Sequence, residues 1–207
     1  MIPHSARIKI SRRSWLLAGL TASLFRARAA VNLTVHFDGD NLHVAAPQLH
    51  FLTGKPLNRL QDGSTVVFLS QLTLLREDRL TAFRRSAERL TLSYDVWEEK
   101  FRVTLGTDGR SVSGLSSATA EAWCLDNLAI SALGMAADRP FWLRLELREA
   151  DPRELSAVVG DSGISLTTMI EVFSRKSRTD RAHWTLDAGP LRLADLRLGA
   201  GHKAQKG

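Results

Sequence analysis

The sequence predicts an α+β fold: an antiparallel β-sandwich-like sheet with two packing helices, preceded by an export peptide. Three observations carry this expectation. Apolar and polar residues alternate through much of residues 31–105 and again over Phe141–Arg148. Period two means one buried and one wet face, as in antiparallel sheets. The period turns helical from Ser117 and again from Leu166,. Finally, residues 1–29 have a basic head, a short apolar run and a small-residue exit, the layout of a secretory signal,.

The elements follow in order. Leu33, Val35 and Phe37 alternate with Thr34, His36 and Asp38, and Asp38-Gly39-Asp40-Asn41 supplies a turn before Leu42 and Val44. This predicts a hairpin over 31–46. Residues 47–63, with Pro47, Gly54, Pro56 and Gly63, read as a loop with a short helical turn,. Thr65–Leu75 is rich in strand formers, Arg76–Arg89 reads as a charged turn with strand extensions, and Leu90–Val96 and Phe101–Leu105 alternate cleanly,. Ala118, Ala122, Leu125, Ala129 and Ala132 form a helical stripe that Ser116 or Ser117 caps and Gly134 stops,. In Phe141–Arg148 the alternation turns Leu143, Leu145 and Leu147 inward and Arg144, Glu146 and Arg148 outward. Leu166, Met169, Ile170 and Phe173 mark a second helix, and His183–Leu186 and Leu191–Leu198 read as closing strands. One β-rich domain is thus expected over 30–198, with a disordered polar tail at 199–207.

The leading segment sets the expected address. Its apolar run, Trp15–Phe25, makes roughly 16 Å of helix against a hydrocarbon core of about 30 Å, too short to span. Arg12 and Arg13 within Ser-Arg-Arg-Ser-Trp-Leu resemble a twin-arginine signal, and Ala27-Arg28-Ala29 fits cleavage after Ala29,. The expected location is periplasmic or extracellular, with no stable transmembrane span in the mature chain. The full chain has 28 basic and 22 acidic residues, a net +6. Six basic residues and no acidic ones lie in 1–29, which leaves 22 against 22. A nucleic-acid partner is therefore not expected, because such binders keep their basic surface. The one cysteine, Cys124, rules out an intramolecular disulfide, so the fold must hold by packing.

The run Ser64–Leu75, the passage Leu90-Thr-Leu-Ser-Tyr-Asp-Val-Trp-Glu-Glu-Lys-Phe-Arg-Val-Thr104 and the Ser-capped helix after it resemble a bacterial exported family of unknown function (domain of unknown function 4390). An arginine-bearing strand (Trp142–Arg148) and the later Phe173-Ser174-Arg175 add to the likeness, which covers roughly 60–195. The spacing between the second strand block and the C-terminal helix departs from that pattern. The resemblance implies an exported β-rich domain and supplies no catalytic residues.

Several local motifs suggest chemistry. Gly160-Asp161-Ser162-Gly163 resembles a serine-nucleophile loop, but no histidine stands in a matching context and Ile164 replaces an expected glycine; a helix cap at Asp161 or Ser162 is the simpler expectation. In the predicted hairpin His36 faces His43 with Asp38 on the same face, two imidazoles and a carboxylate that could begin a zinc site. Trp97, Trp123, Trp142 and Trp184 could line a groove, and Arg175, Lys176, Arg178 and Arg181 form a basic loop. Cys124, among helical residues, reads as packing. The leading expectation is an exported, non-catalytic binding or accessory domain without a cofactor, whose partner is a protein or envelope component. The alternative is an envelope hydrolase using Ser162 or a His36/His43 metal site. A carrier with an apolar pocket between sheet and helix is a third reading.

Replacing both arginines of the pair (Arg12→Lys with Arg13→Lys) is expected to hold the unprocessed chain in the cytosol of its native host. N-terminal sequencing of the exported wild type should begin at Ala30. An exported double variant would remove the twin-arginine reading.

Overall fold

A computed structural model describes residues 32–106, 109–150, 159–160, 163–164, 167, 171, 173 and 181–197. These belong to the compact unit Val31–Gly207. The expected export segment with Arg12, Arg13 and Ala29, the motif residues Asp161 and Ser162, the basic residues 175–178 and the 199–207 tail lie outside them.

The N-terminal hairpin joins β1 (Thr34–Asp38) to β2 (Asn41–Ala45). Its two-residue turn places Gly39 at φ 60°, the first central position, where glycine allows a II′ turn. The loop that follows contains α1 (Lys55–Gln61), with Pro56 in its first turn, where a missing N–H costs nothing. Then come β3 (Val66–Leu75), β4 (Ala82–Asp95), β5 (Lys100–Leu105) and β6 (Ser111–Leu115). Helix α2 (Ser117–Asp126) precedes β7 (Ala129–Ser131) and β8 (Phe141–Glu149). The two-residue strands β9 (Val159–Gly160) and β10 (Gly163–Ile164) lead toward β11 (His183–Leu191).

Six strands form one sheet in the order β11-β8-β3-β4-β5-β6, and β1-β2-β7 form a second. All these pairings are antiparallel. The smaller sheet and both helices share one core with one face of the larger sheet, so the sandwich-like α+β expectation holds. Phe51 and Phe68 are fully buried in this core and meet the half-buried Trp184, with Phe51 edge-on to Phe68 at 5.1 Å and 70°. Arg84 crosses the layers and donates from Nη1 to the Ser131 carbonyl at 2.7 Å. No helix among the described residues is long and apolar enough to cross a membrane.

Several details differ from the sequence reading. Helix α2 stops at Asp126 instead of continuing to Ala132. Asn127 ends it by donating from Nδ2 to the Trp123 carbonyl at 2.8 Å. Residues 129–131 become a strand because β2 needs a partner: Ile130 sits opposite Leu42. The buried face of α2 is Ala120, Glu121, Cys124 and Leu125, while Ala118 and Ala122 are exposed. Strand β6 was not expected, because Ser113 and Gly114 interrupt its pattern; Gly114 takes φ 77° on this sheet edge,. Residues 193–197 are helical, not a strand, and Leu193 packs into the core. Arg148 is buried, not outward. Phe173 covers it, 5.1 Å from the guanidinium, within a second apolar cluster around Leu69 and Ala150. Gly160 pairs with Gly163 in the short β9–β10 ladder, and the cap candidates Asp161 and Ser162 lie outside the described residues.

Phe68 is fully buried and touches both aromatic neighbours. Phe68→Ala should cost about 3–5 kcal/mol of stability, read from urea unfolding. A loss below about 1 kcal/mol would show that the aromatic cluster does not carry the core.

Candidate functional site

A concavity lies at the end of the sandwich where β3 turns into β4. Its volume is about 650 Å³. Leu74, Leu75 and Phe83 wall it from the β3–β4 end, and Met135, Pro140 and Phe141 from the β7–β8 connection. Arg76, Glu77, Asp78 and Arg139 also line it.

The local sequence explains this shape. Leu74 pairs with Arg84 but Leu75 pairs with Ala82, so Phe83 is the extra residue of a β-bulge. A bulge redirects one side chain out of the ladder, and Phe83 ends 42% exposed, lining the cavity. The turn beyond is tightly tied. Asp78 Oδ1 accepts from the N–H groups of Leu80 and Thr81, each at 2.9 Å, and Oδ2 accepts from the Thr81 hydroxyl at 2.5 Å. The Thr81 hydroxyl, followed by these backbone donors, holds the Asp78 carboxyl below the usual range. Arg79 adopts φ 58° and lays its guanidinium 3.4 Å from the Trp142 ring centroid. Opposite, Gly134 at φ 78° turns the chain into Met135, whose N–H donates to the Ala132 carbonyl at 3.1 Å. The result is an apolar recess with a charged rim, at the sheet's end rather than beneath either helix.

The sequence-derived candidates fall elsewhere. His36 and His43 do pair across the hairpin. Their rings stack with centroids 5.3 Å apart and 18° between planes, and His43 Nδ1 lies 3.4 Å from the Asp126 carbonyl. Asp38 pairs with Asn41 at the hairpin end. Among the described residues, no group of three or more His, Cys, Asp or Glu side chains is placed to hold a metal. The four tryptophans do not line one groove: Trp184 meets the aromatic core, Trp142 lies under Arg79, Trp123 packs on the core's edge and Trp97 is 97% exposed. Arg181 donates to the Ala150 carbonyl at 2.7 Å. Cys124 is buried, and desolvation with the nearby Glu121 charge raises its thiol pKa far above the ordinary value, so no thiolate nucleophile is available.

A second constellation was missed by the sequence reading. The buried Glu121 carboxylate accepts from the Leu52 N–H at 2.6 Å through Oε1, and Oε2 lies 3.0 Å from His50 Nδ1. A carboxylate partner there places a proton on Nδ1. This is half of an acid–base arrangement. Among the described residues nothing else is bonded to the His50 ring. Its visible work is structural: it ties α2 to the loop before α1. A mid-helix glutamate beside small residues reads as solvated in sequence; its spacing to Cys124 and Leu125 was the available signal.

Comparison with protein-family models, curated proteins and solved structures finds no match to this chain.

Glu121→Ala leaves a buried N–H without an acceptor and should cost about 1.5–3 kcal/mol. His50→Ala, at a side chain 61% exposed, should cost less. Paired urea melts check the order; an equal or larger loss at His50 would make the imidazole the anchor.

Proposed function

We propose that this chain is an exported, non-catalytic binding domain of the bacterial cell envelope. It takes an apolar group of a protein or envelope component into the cavity at the β3–β4 end. The cavity is the observation that carries the reading. Its volume of about 650 Å³ falls within the roughly 300–1,000 Å³ common for ligand sites. Its walls are apolar and its charges sit among the lining residues of two connections, an arrangement suited to holding an apolar body and orienting a polar end. Bulge and turn geometry build it from well-anchored residues, which lowers the ordering cost of binding. Export is supported by the layout of residues 1–29, by the charge balance of the remainder and by the resemblance to an exported family.

Ala136 lines the cavity and is exposed, so a larger side chain there fills the recess without entering the core. 1-Anilinonaphthalene-8-sulfonate should bind the native protein at one site, with blue-shifted emission. Ala136→Trp should weaken that binding at least about tenfold, the scale of losing a buried apolar anchor. Equal binding by both proteins would overturn the cavity as the site.

A further inference from the structure

We infer that the cavity's occupant is Trp97 of a second copy of this chain, so that the protein associates head to tail. The inference rests on the cavity being a binding site and names the partner.

Trp97 sits at the tip of the β4–β5 hairpin. It is 97% exposed, and its neighbour Val96 is 56% exposed. The tip is built, not loose. Asp95 Oδ1 accepts from the N–H groups of Trp97 at 2.9 Å and Glu98 at 3.1 Å, Glu99 turns the chain at φ 53°, and Asp95 pairs with Lys100 to close the hairpin. An indole presented on a pre-ordered turn buries a large area on docking at little entropic cost, the profile of an interface anchor. The recess between Phe83, Met135 and Phe141 has room for an indole.

The two features lie at opposite ends of one strand. β4 is 14 residues long, roughly 45 Å at about 3.3 Å per residue. A molecule's own Trp97 therefore cannot reach its own cavity, while a second copy's can. Charge favours the match. The tip carries Asp95, Glu98 and Glu99 against Lys100. The cavity end, over 76–85 and 138–139, carries five arginines against three carboxylates, and Arg76 and Arg139 line the cavity beside Glu77 and Asp78. An acidic tip also disfavours the negatively charged leaflet of a membrane as the alternative partner. Because donor and acceptor are different surfaces, each docked copy still offers one of each. Such heterologous contacts propagate into rings or chains instead of stopping at a pair.

Sedimentation velocity of the purified protein over a concentration series tests this. The wild type should grow beyond dimer. Trp97→Ala and Ala136→Trp should each weaken association at least about tenfold. An equimolar mixture of the two variants should stop at dimer, because one supplies an intact cavity and the other an intact tryptophan. Raising the salt should shift the wild type toward monomer. A wild type that stays monomeric, a Trp97→Ala variant that associates as the wild type does, or a mixture that stays monomeric would each overturn the inference. The same samples are titrated with 1-anilinonaphthalene-8-sulfonate. A monomeric wild type whose Trp97→Ala variant binds this probe while Ala136→Trp does not would sink the Trp97 inference and leave the cavity reading standing. Trp97-dependent co-sedimentation of a monomeric wild type with phosphatidylethanolamine–phosphatidylglycerol vesicles would overturn it in favour of a lipid surface.

Discussion

Strand β3 is covered on both faces, and the rest of the architecture is arranged around that constraint. Val66, Phe68, Leu72 and Leu74 point into the main core, while Leu69, Gln71, Thr73 and Leu75 are buried on the opposite side. A strand flanked by two neighbours has its backbone satisfied by them, but its buried polar side chains need partners of their own. Ser70 donates to the Glu88 carbonyl at 3.1 Å, and Gln71 donates from Nε2 to Glu146 at 3.1 Å. These bonds reach β4 on one side and β8 on the other. A one-residue slip would exchange the two faces of β3 and break both. The register therefore follows from packing and polar satisfaction together. It also decides where β3 ends, and hence where Leu74 and Leu75 become a cavity wall.

Two buried carboxylates then fasten the connections onto this frame. Glu149, at the end of β8, pairs with Arg59 of α1, and Arg181, just ahead of β11, lies 4.0 Å from it. Glu121 holds the loop at Leu52 and His50 from the middle of α2. In each case a charge removed from water is stabilised by donors that come from distant parts of the sequence. The benefit is less in net energy, since burying a pair costs about what it returns, than in fixing which loop lies against which element.

The larger elements were legible because their periods are long enough to see. The hairpin at 34–45, the later half of β4, β5 and the run Phe141–Arg148 all show alternation over five residues or more, and β3 is a long run of strand formers. The first half of β4, from Ala82, lies inside the charged stretch Arg76–Arg89 that reads as a turn with strand extensions. Short elements were not legible. Ala129–Ser131 has three residues and continues an alanine pattern that looks helical. Ser111–Leu115 hides behind serine and glycine. Arg148 looked solvent-facing because alternation reports which residues share a face and says nothing about what covers the other face; Phe173, 25 residues later, supplies the cover. The pairing of His36 with His43 was readable from turn length alone. The cavity was not, since its walls come from 74–83 and 134–141 and its shape depends on a single inserted residue, Phe83.

The lone thiol of Cys124 has a consequence for handling. Exchange and alkylation run through the ionised sulfur, and burial, with the Glu121 charge beside it, disfavours that form while the domain is folded. Covalent cross-linking between copies is thereby made contingent on denaturation. A sulfur-bridged pair seen on a non-reducing gel would be a record of molecules that had lost their structure, not of an assembly that the native chain makes.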